Sequence, residues 1–378
     1  MTTERLRMGI DGDALRRPMS GVGQYIFQLC RELESLLPSA DFYVYSRLPA
    51  DGLALPSSRW VLRQEPRAIW RKLPSFLWLK TRGRTMCLRD RINVFWAGRT
   101  LHPNLPQPAR TVVTVHDLNH LLVPKTMERP TLWSNQLWFA RDVSTAQAVA
   151  ANSGGTAQRL QQLVGCTPHA VVRPGVGPWF KRMPVEHRSQ AMKALADISV
   201  RTPYLLWVGT LEPRKNVRAL LAAYQLIQRQ DPTFEHQLVL VGVKGWHDPA
   251  LAAALQRAPG VVVTGFVPDA ILPTLYGLAA ALVCPSLYEG FGMPVLEARA
   301  CGTPVVVTDI PELREAGGAD ATLIAPSIEG IAEGMRTILR ASSNKSHIRD
   351  EELMNTWGQS ARTLCGLLTG TAGSQEHR

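Results

Sequence analysis

Along this chain, short apolar runs rich in β-branched residues alternate with longer stretches that repeat every 3.6 residues. In the second half the short runs are sharply bounded: Tyr204–Val208, Leu238–Val241, Val261–Thr264, Ala281–Cys284, Val305–Thr308 and Thr322–Ile324. Runs apolar at nearly every position are those of parallel strands covered on both faces. Between them the periodicity predicts helices over Val217–Gln228, Pro249–Gln256, Ile271–Gly277 and Pro294–Ala300. Six strands with helical crossovers make a doubly wound α/β domain. The first half is less regular, with strands around Arg7–Ile10, Phe42–Tyr45, Val94–Trp96, Thr111–Val115, Ala148–Ala151 and Ala170–Val172, and a long amphipathic helix over Val22–Leu36. Arg173–Pro203, containing RPGVGPW and a polar helical segment, reads as a linker. Near the end, Glu351–Leu368 places Leu353, Trp357, Ala361, Leu364 and Leu368 on one helical face, and the tail after Thr369 reads as disordered. The expected organisation is therefore an α/β domain over residues 1–175, a second over 203–350, and a helix over 351–369.

Length and composition agree with that plan. A chain of 378 residues suits two domains, and 45% hydrophobic with 19% charged residues excludes a fibrous or disordered protein. No stretch approaches the ~20 apolar residues of a membrane span, and the opening MTTERLRMGI lacks the apolar core of a signal peptide. A cytoplasmic protein is expected. The six cysteines, at 30, 87, 166, 284, 301 and 365, have neither zinc-site spacing nor disulfide-scaffold density and read as buried thiols.

Charge adds an asymmetry. Residues 1–180 hold 23 Lys/Arg against 12 Asp/Glu, whereas residues 181–378 hold 19 of each. Within the first half, residues 63–91 carry nine basic and two acidic residues interleaved with Trp70, Phe76, Leu77, Trp78 and Leu79. Aromatic interleaving favours an anionic membrane surface over nucleic acid as the partner of such a run. The plainer alternative is a solvated basic helix whose aromatics pack inward.

The chemistry gathers in two segments of the second half. In Pro285–Pro304, PSLYEGFGMPVLEARACGTP, a strand ends, Gly290 and Gly292 form a turn, Pro294 suits a helix start and Gly302 a helix stop. Such a turn brings backbone close to a ligand and offers first-turn N–H groups to anionic oxygens. Glu289 stands at its mouth and Glu297 inside the helix, so each carboxylate can grip a separate set of hydroxyls. In Trp207–Asn216, WVGTLEPRKN, Gly209 opens the turn after a strand and Arg214–Lys215 follow. Ligands of doubly wound sheets collect outside the carboxyl ends of strands, so this basic pair and the glycine turn are expected to share one crevice, suited to a diphosphate.

These residues resemble the retaining GT-B glycosyltransferases of family four, bacterial sugar transferases that use nucleotide-diphosphate sugars, over nearly the whole chain. The most specific element is E-x7-E, here Glu289 to Glu297 in EGFGMPVLE, followed by GTP at 302–304. The GxGxxG dinucleotide fingerprint is absent. The resemblance implies two Rossmann-like domains facing across a cleft, the first binding acceptor and the second the nucleotide sugar, with the terminal helix crossing back to the first domain. It implies that Glu289 holds donor hexose hydroxyls, Glu297 the ribose, and Arg214 and Lys215 the diphosphate, with Gly209, Gly290, Phe291 and Gly292 lining the phosphates and sugar. Two first-half features gain roles from it: Gly21 and Gly23, in PMSGVGQY, as a glycine-rich loop over the donor phosphates, and His116, in VHD, approaching the transferring sugar with Asp117 as orienting partner or helix cap.

The reaction implied is retaining transfer without a metal or cofactor, the departing diphosphate taking the acceptor proton. GTLEPRKN together with YEGFGMPVLEA looks most like the bacterial mannosyl- and rhamnosyltransferases of O-antigen or exopolysaccharide synthesis. GDP-mannose is the expected donor, a UDP-hexose the next, and a glycan or polyprenyl-diphosphate-linked glycan the acceptor. The alternatives are a non-catalytic nucleotide-sugar-binding protein and a UDP-sugar glucosyltransferase acting on a soluble acceptor.

Overall fold

The computed structural model describes residues 5–243, 248–342 and 355–371. The chain forms two compact units, Met1–Gly175 with Asn355–Arg378, and Val176–Met354.

The first unit is built on seven parallel strands: β1 Arg7–Asp11, β2 Asp41–Ser46, β3 Trp60–Gln64, β4 Val94–Ala97, β5 Arg110–Val115, β6 Ala148–Ala151 and β7 Ala170–Val171. Their order is β3-β2-β1-β4-β5-β6-β7. Six stand where the apolar runs predict them. The edge strand β3 was not anticipated, because it is only half apolar: Trp60 is buried on Phe42, ring centroids 4.7 Å apart, while Val61 faces solvent and Arg63 already belongs to the basic run. The Gly21–Leu36 helix turns Tyr25, Ile26, Leu29, Cys30 and Leu33 inward at helical spacing.

Against that helix packs the last one, Trp357–Thr369, opened by a reciprocal cap between Thr356 and Gln359. Trp357 meets Tyr25 edge-on at 5.9 Å, and Arg110 Nε donates to the Leu367 carbonyl at 2.7 Å. Asn355 Nδ2 donates to the Arg173 carbonyl at 3.1 Å. Trp357, Ala361, Leu364 and Leu368 are buried, so this helix packs in the first unit and not as a layer of the second. Residues 351–354, including Leu353, and the tail beyond 371 lie outside the described residues.

The second unit contains β8 Tyr204–Val208, β9 Gln237–Val241, β10 Val261–Gly265, β11 Ala281–Cys284, β12 Val305–Thr308 and β13 Thr322–Ile324, in the parallel order β10-β9-β8-β11-β12-β13. Successive side chains of a strand point to opposite faces, and here each face has its own core. Leu206, Val239, Val241, Leu282, Val305 and Val307 pack on one side. Leu205, Trp207, Leu238, Leu240, Val283 and Val306 pack on the other. Of the cysteines, all free thiols, Cys30, Cys87 and Cys301 are buried, but Cys166, Cys284 and Cys365 are only half-buried, a departure from the uniform burial expected. Among the described residues no helix is long and apolar enough to cross a membrane.

Candidate active site

In the second sheet, β8 leads to β9 on one side while β11 lies on the other, so a switch point falls between β8 and β11. Both predicted segments leave the sheet there. After β8 the chain passes through the short Pro213–Lys215 turn to Asn216, which adopts a left-handed conformation (φ +58°) before the Val217–Gln230 helix. Asparagine tolerates that conformation well. Its side-chain amide donates to the carbonyls of Pro285 and Pro326 at 3.2 and 2.8 Å, tying this loop to the ones after β11 and β13. Leu287 N donates to the Arg214 carbonyl at 2.8 Å, a second tie.

Those ties bring Arg214, Lys215 and Glu289 together. Glu289 Oε2 accepts from Arg214 Nη1 at 2.8 Å; its Oε1 accepts from Lys215 Nζ at 2.5 Å and from Ser286 Oγ at 2.7 Å. Glu289 is buried. Burial alone would raise its carboxyl, but the charges of Lys215 and Arg214 outweigh it and bring the pKa down to about 2. Glu289 is therefore a carboxylate at any working pH. Arg214 is fixed further by Glu212, through Nε at 3.1 Å, and by the Tyr288 carbonyl at 3.2 Å. With Glu212 counted beside Glu289, two cations here meet two carboxylates.

The glycine turn is shaped by the same packing. Gly292 caps the Met293–Ala300 helix at φ +106°, and a Cβ there would lie 2.7 Å from Leu313. Gly290 leads into it, and Phe291 turns its ring into the core. Gly209 N donates to the Val241 carbonyl at 2.9 Å, which holds the start of the β8 loop against β9. Glu297 makes a separate set of contacts: its Oε2 accepts from Tyr276 Oη at 2.8 Å, and Thr303 Oγ1 donates to the Tyr276 carbonyl at 2.6 Å. Burial raises the Glu297 pKa to about 7; the Tyr276 bond opposes that and Asp269 adds to it.

In the first unit, His116 follows β5 and is buried, its Nε2 2.6 Å from the Gly98 carbonyl and its ring edge-on to Tyr25 at 4.9 Å. A carbonyl only accepts, so Nε2 carries the proton. Burial lowers the His116 pKa, leaving a neutral ring whose Nδ1 is an acceptor. Asp117 Oδ1 accepts from Asn119 N at 3.1 Å, a local bond spanning Leu118, the residue before the short Asn119–Leu122 helix.

One expectation changes. Gly21 and Gly23 do not form a loop: they are the first turn of the Gly21–Leu36 helix, with the Ser20 hydroxyl accepting from Gly23 N at 3.2 Å. Gly23 is needed there because a Cβ would sit 2.4 Å from the Ala14 carbonyl. The basic run is turned inward only in part: Arg67, Lys72, Arg89 and Arg91 are exposed, while other members are paired inside the unit. Trp78 is buried and donates through Nε1 to Glu65 at 3.1 Å, Arg82 Nε binds the same carboxylate at 3.1 Å, and Lys80 Nζ meets the buried Asp142 at 2.6 Å. The exposed residues in the early part of the run include Arg67, Ile69, Lys72 and Leu77.

Reading the sequence also missed Ser286, Tyr276 and Asn216, as well as an acidic pair at the end of β1. Asp11-Gly12-Asp13 is an Asp-x-Asp spacing, contrary to the expectation of a chain without one, and both carboxylates are engaged by arginines: Asp11 by Arg99 at 3.2 Å and Asp13 by Arg47 at 3.1 Å.

Comparison with known proteins places these sites in context. Residues 202–341 match the family model described as glycosyl transferases group 1. The chain is 29% identical over 336 residues to O-antigen chain mannosyltransferase B of Escherichia coli, covering 83% of this chain and 84% of that one. Among solved structures it resembles sucrose-phosphate synthase of Thermosynechococcus elongatus, with a TM-score of 0.71, 17% identity, and 97% and 96% of the two chains covered. It also resembles HepE of Anabaena in complex with UDP-glucose, with a TM-score of 0.67, 16% identity, and 97% of each chain covered. At those identities the structural likeness shows the fold alone, and that fold is GT-B.

Proposed function

We propose, for a chain of GT-B fold whose residues 202–341 match the group 1 glycosyl transferase model, that it transfers a hexose with retention, mannose from GDP-mannose, to a glycan or lipid-linked glycan of a cell-surface polysaccharide. The observation that carries the reading is the Glu289–Arg214–Lys215 triad at the switch point of the second sheet. A nucleotide sugar presents there a diphosphate for the two cations and hexose hydroxyls for the ionised carboxylate. As the bond to the sugar breaks, charge builds on the departing diphosphate, and fixed cations beside it stabilise that charge more than they stabilise the bound donor. This reading gives a divalent ion no role. Glu297, beside Tyr276, is the acceptor for ribose hydroxyls, and the neutral His116 can accept a hydrogen bond from a sugar hydroxyl through Nδ1.

The mannosyl donor is supported by the E. coli O-antigen mannosyltransferase B similarity. The likeness to HepE, solved with UDP-glucose, favours a UDP-hexose as the second reading. An anionic membrane face is the proposed partner of the exposed residues Arg67, Ile69, Lys72 and Leu77. The deciding experiment is a thermal-shift panel of nucleotide sugars, followed by NMR of the first-formed product anomer. Stabilisation by GDP-mannose with retained configuration is expected. Stabilisation by a UDP-hexose alone moves the donor assignment, and inversion removes the retaining mechanism.

A further inference from the structure

The first sheet has a switch point of its own: β1 leads to β2 on one side, and β4 lies on the other. Open α/β sheets collect ligands outside the carboxyl ends of strands at such a point. In the second unit that place holds the triad. In the first it holds a cluster to which no role has yet been given: Asp11 is the last residue of β1, Asp13 lies in the turn after it, Arg99 follows β4, and Arg47 follows β2. Arg99 Nη1 stands 3.2 Å from Asp11 Oδ2 and 3.9 Å from Asp13 Oδ2, and Arg47 Nε stands 3.1 Å from the same Asp13 oxygen. Asp11 Oδ1 accepts from Asp13 N at 3.0 Å, Arg47 Nη1 donates to the Arg71 carbonyl at 3.1 Å, and Ser75 Oγ lies 3.5 Å from Arg99 Nη1. Both carboxylates are only 8% exposed, whereas Arg99 is 39% exposed. The other Asp13 oxygen, Oδ1, is buried and finds no donor in the protein. A buried carboxylate oxygen left without a donor is unfavourable, and a ligand O–H would satisfy it.

We infer that this cluster is the acceptor subsite and that it recognises a neutral saccharide through its hydroxyls, not the phosphates of a carrier. The inference rests on the glycosyltransferase reading and deepens it. Two aspartates and two arginines balance to zero. A phosphate would find the guanidinium charge already matched and two carboxylates beside it, and a divalent cation would meet two fixed cations. Vicinal hydroxyls suit the cluster, because carboxylate oxygens accept from them while guanidinium N–H groups donate to them. The cluster also adjoins the proposed transfer position along the chain: Gly98, whose carbonyl holds His116 Nε2, immediately precedes Arg99.

The test is saturation-transfer NMR on the full chain with a set of methyl glycosides (mannoside, rhamnoside, glucoside and galactoside), repeated on Asp13→Asn and on Arg99→Gln. Arg99 is exposed enough for its variant to fold whatever Asp13→Asn does. Saturation transfer to at least one glycoside is expected in the wild type, with affinity falling about tenfold in each folded variant, the loss expected of a charged hydrogen bond. GDP and UDP binding, read separately by calorimetry, should stay unchanged. No transfer to any glycoside, equal transfer in wild type and variants, displacement of the glycoside by inorganic pyrophosphate, or Mn²⁺ binding abolished by Asp13→Asn would each overturn the inference. Loss of nucleotide-sugar binding in the wild type would instead remove the reading on which it stands.

Discussion

Replacing Glu289 by glutamine keeps the shape of the triad and deletes its negative charge, leaving Arg214 and Lys215 facing each other across a neutral amide. The wild-type carboxyl sits at about 2 against an ordinary 4.5. Burial pulls it upward and the two cations pull it further down. At ~1.4 kcal/mol per unit, the shift corresponds to roughly 3 kcal/mol of stability. Removing one partner of a buried ion pair costs about 3–5 kcal/mol, the same order. Because the folded pKa lies below the unfolded one, this stabilisation is complete above pH 4.5 and is lost as the pH falls toward 2. Glu289→Gln should therefore lower the melting temperature at pH 7 by roughly 6–12 °C for a unit of this size. Below pH 4.5 the gap between wild type and variant should close by about 1.4 kcal/mol per pH unit. Urea denaturation of both proteins from pH 7 to 3.5, followed by tryptophan fluorescence, reads both quantities. A gap that stays constant across that range, or is absent at pH 7, would show that Glu289 is not held as a buried carboxylate by its two cations.

Lys215→Ala and Glu289→Ala should each cut sugar transfer tenfold or more, the consequence of losing a charged contact of about 1.5–3 kcal/mol; full activity in either would remove this crevice from the reaction. Activity should persist in EDTA, since the diphosphate charge is met by Arg214, Lys215 and a helix N-terminus; loss of activity restored by Mg²⁺ or Mn²⁺ would refute that balance. In liposome sedimentation, binding should require anionic lipid, weaken at high salt and fall in Arg67→Ser/Lys72→Ser. Lys80→Ser should instead destabilise the first unit by about 3–5 kcal/mol by stranding the buried Asp142, and retained stability would put Lys80 back among the candidate lipid contacts.

The second sheet was legible because a strand covered on both faces must be apolar at every position, and runs such as Tyr204–Val208 and Val305–Thr308 have no other use. Trp60–Gln64 was not, since an edge strand needs only one apolar face. The GVG segment looked like a loop because two glycines so near each other suggest one. Ser20, a good cap three residues before Gly23, carried the contrary signal. Counting charges over residues 63–91 could not reveal that Glu65 lies under Trp78 and Arg82, or that Asp142, 62 residues from Lys80, neutralises it. The triad's members were each visible at strand ends, but their mutual pairing, across 75 residues from Arg214 to Glu289, is a product of sheet topology. Asp11 and Asp13 escaped notice because β1 was ended one residue early, at Ile10.

The placement of the Trp357–Thr369 helix in the first unit has a consequence for the order in which this protein is made. The second unit is one unbroken stretch, whereas the first is assembled from two pieces separated by the whole of the second. A ribosome moving from N- to C-terminus delivers the seven strands early, yet the Gly21–Leu36 helix then waits, its flank uncovered, until Trp357, Ala361, Leu364 and Leu368 emerge. The unit that holds the triad can be complete before the unit that holds His116 is. A nascent chain that has emerged only as far as Met354 therefore carries a finished second unit and an unfinished first, and synthesis of the last helix closes the unit with which synthesis began.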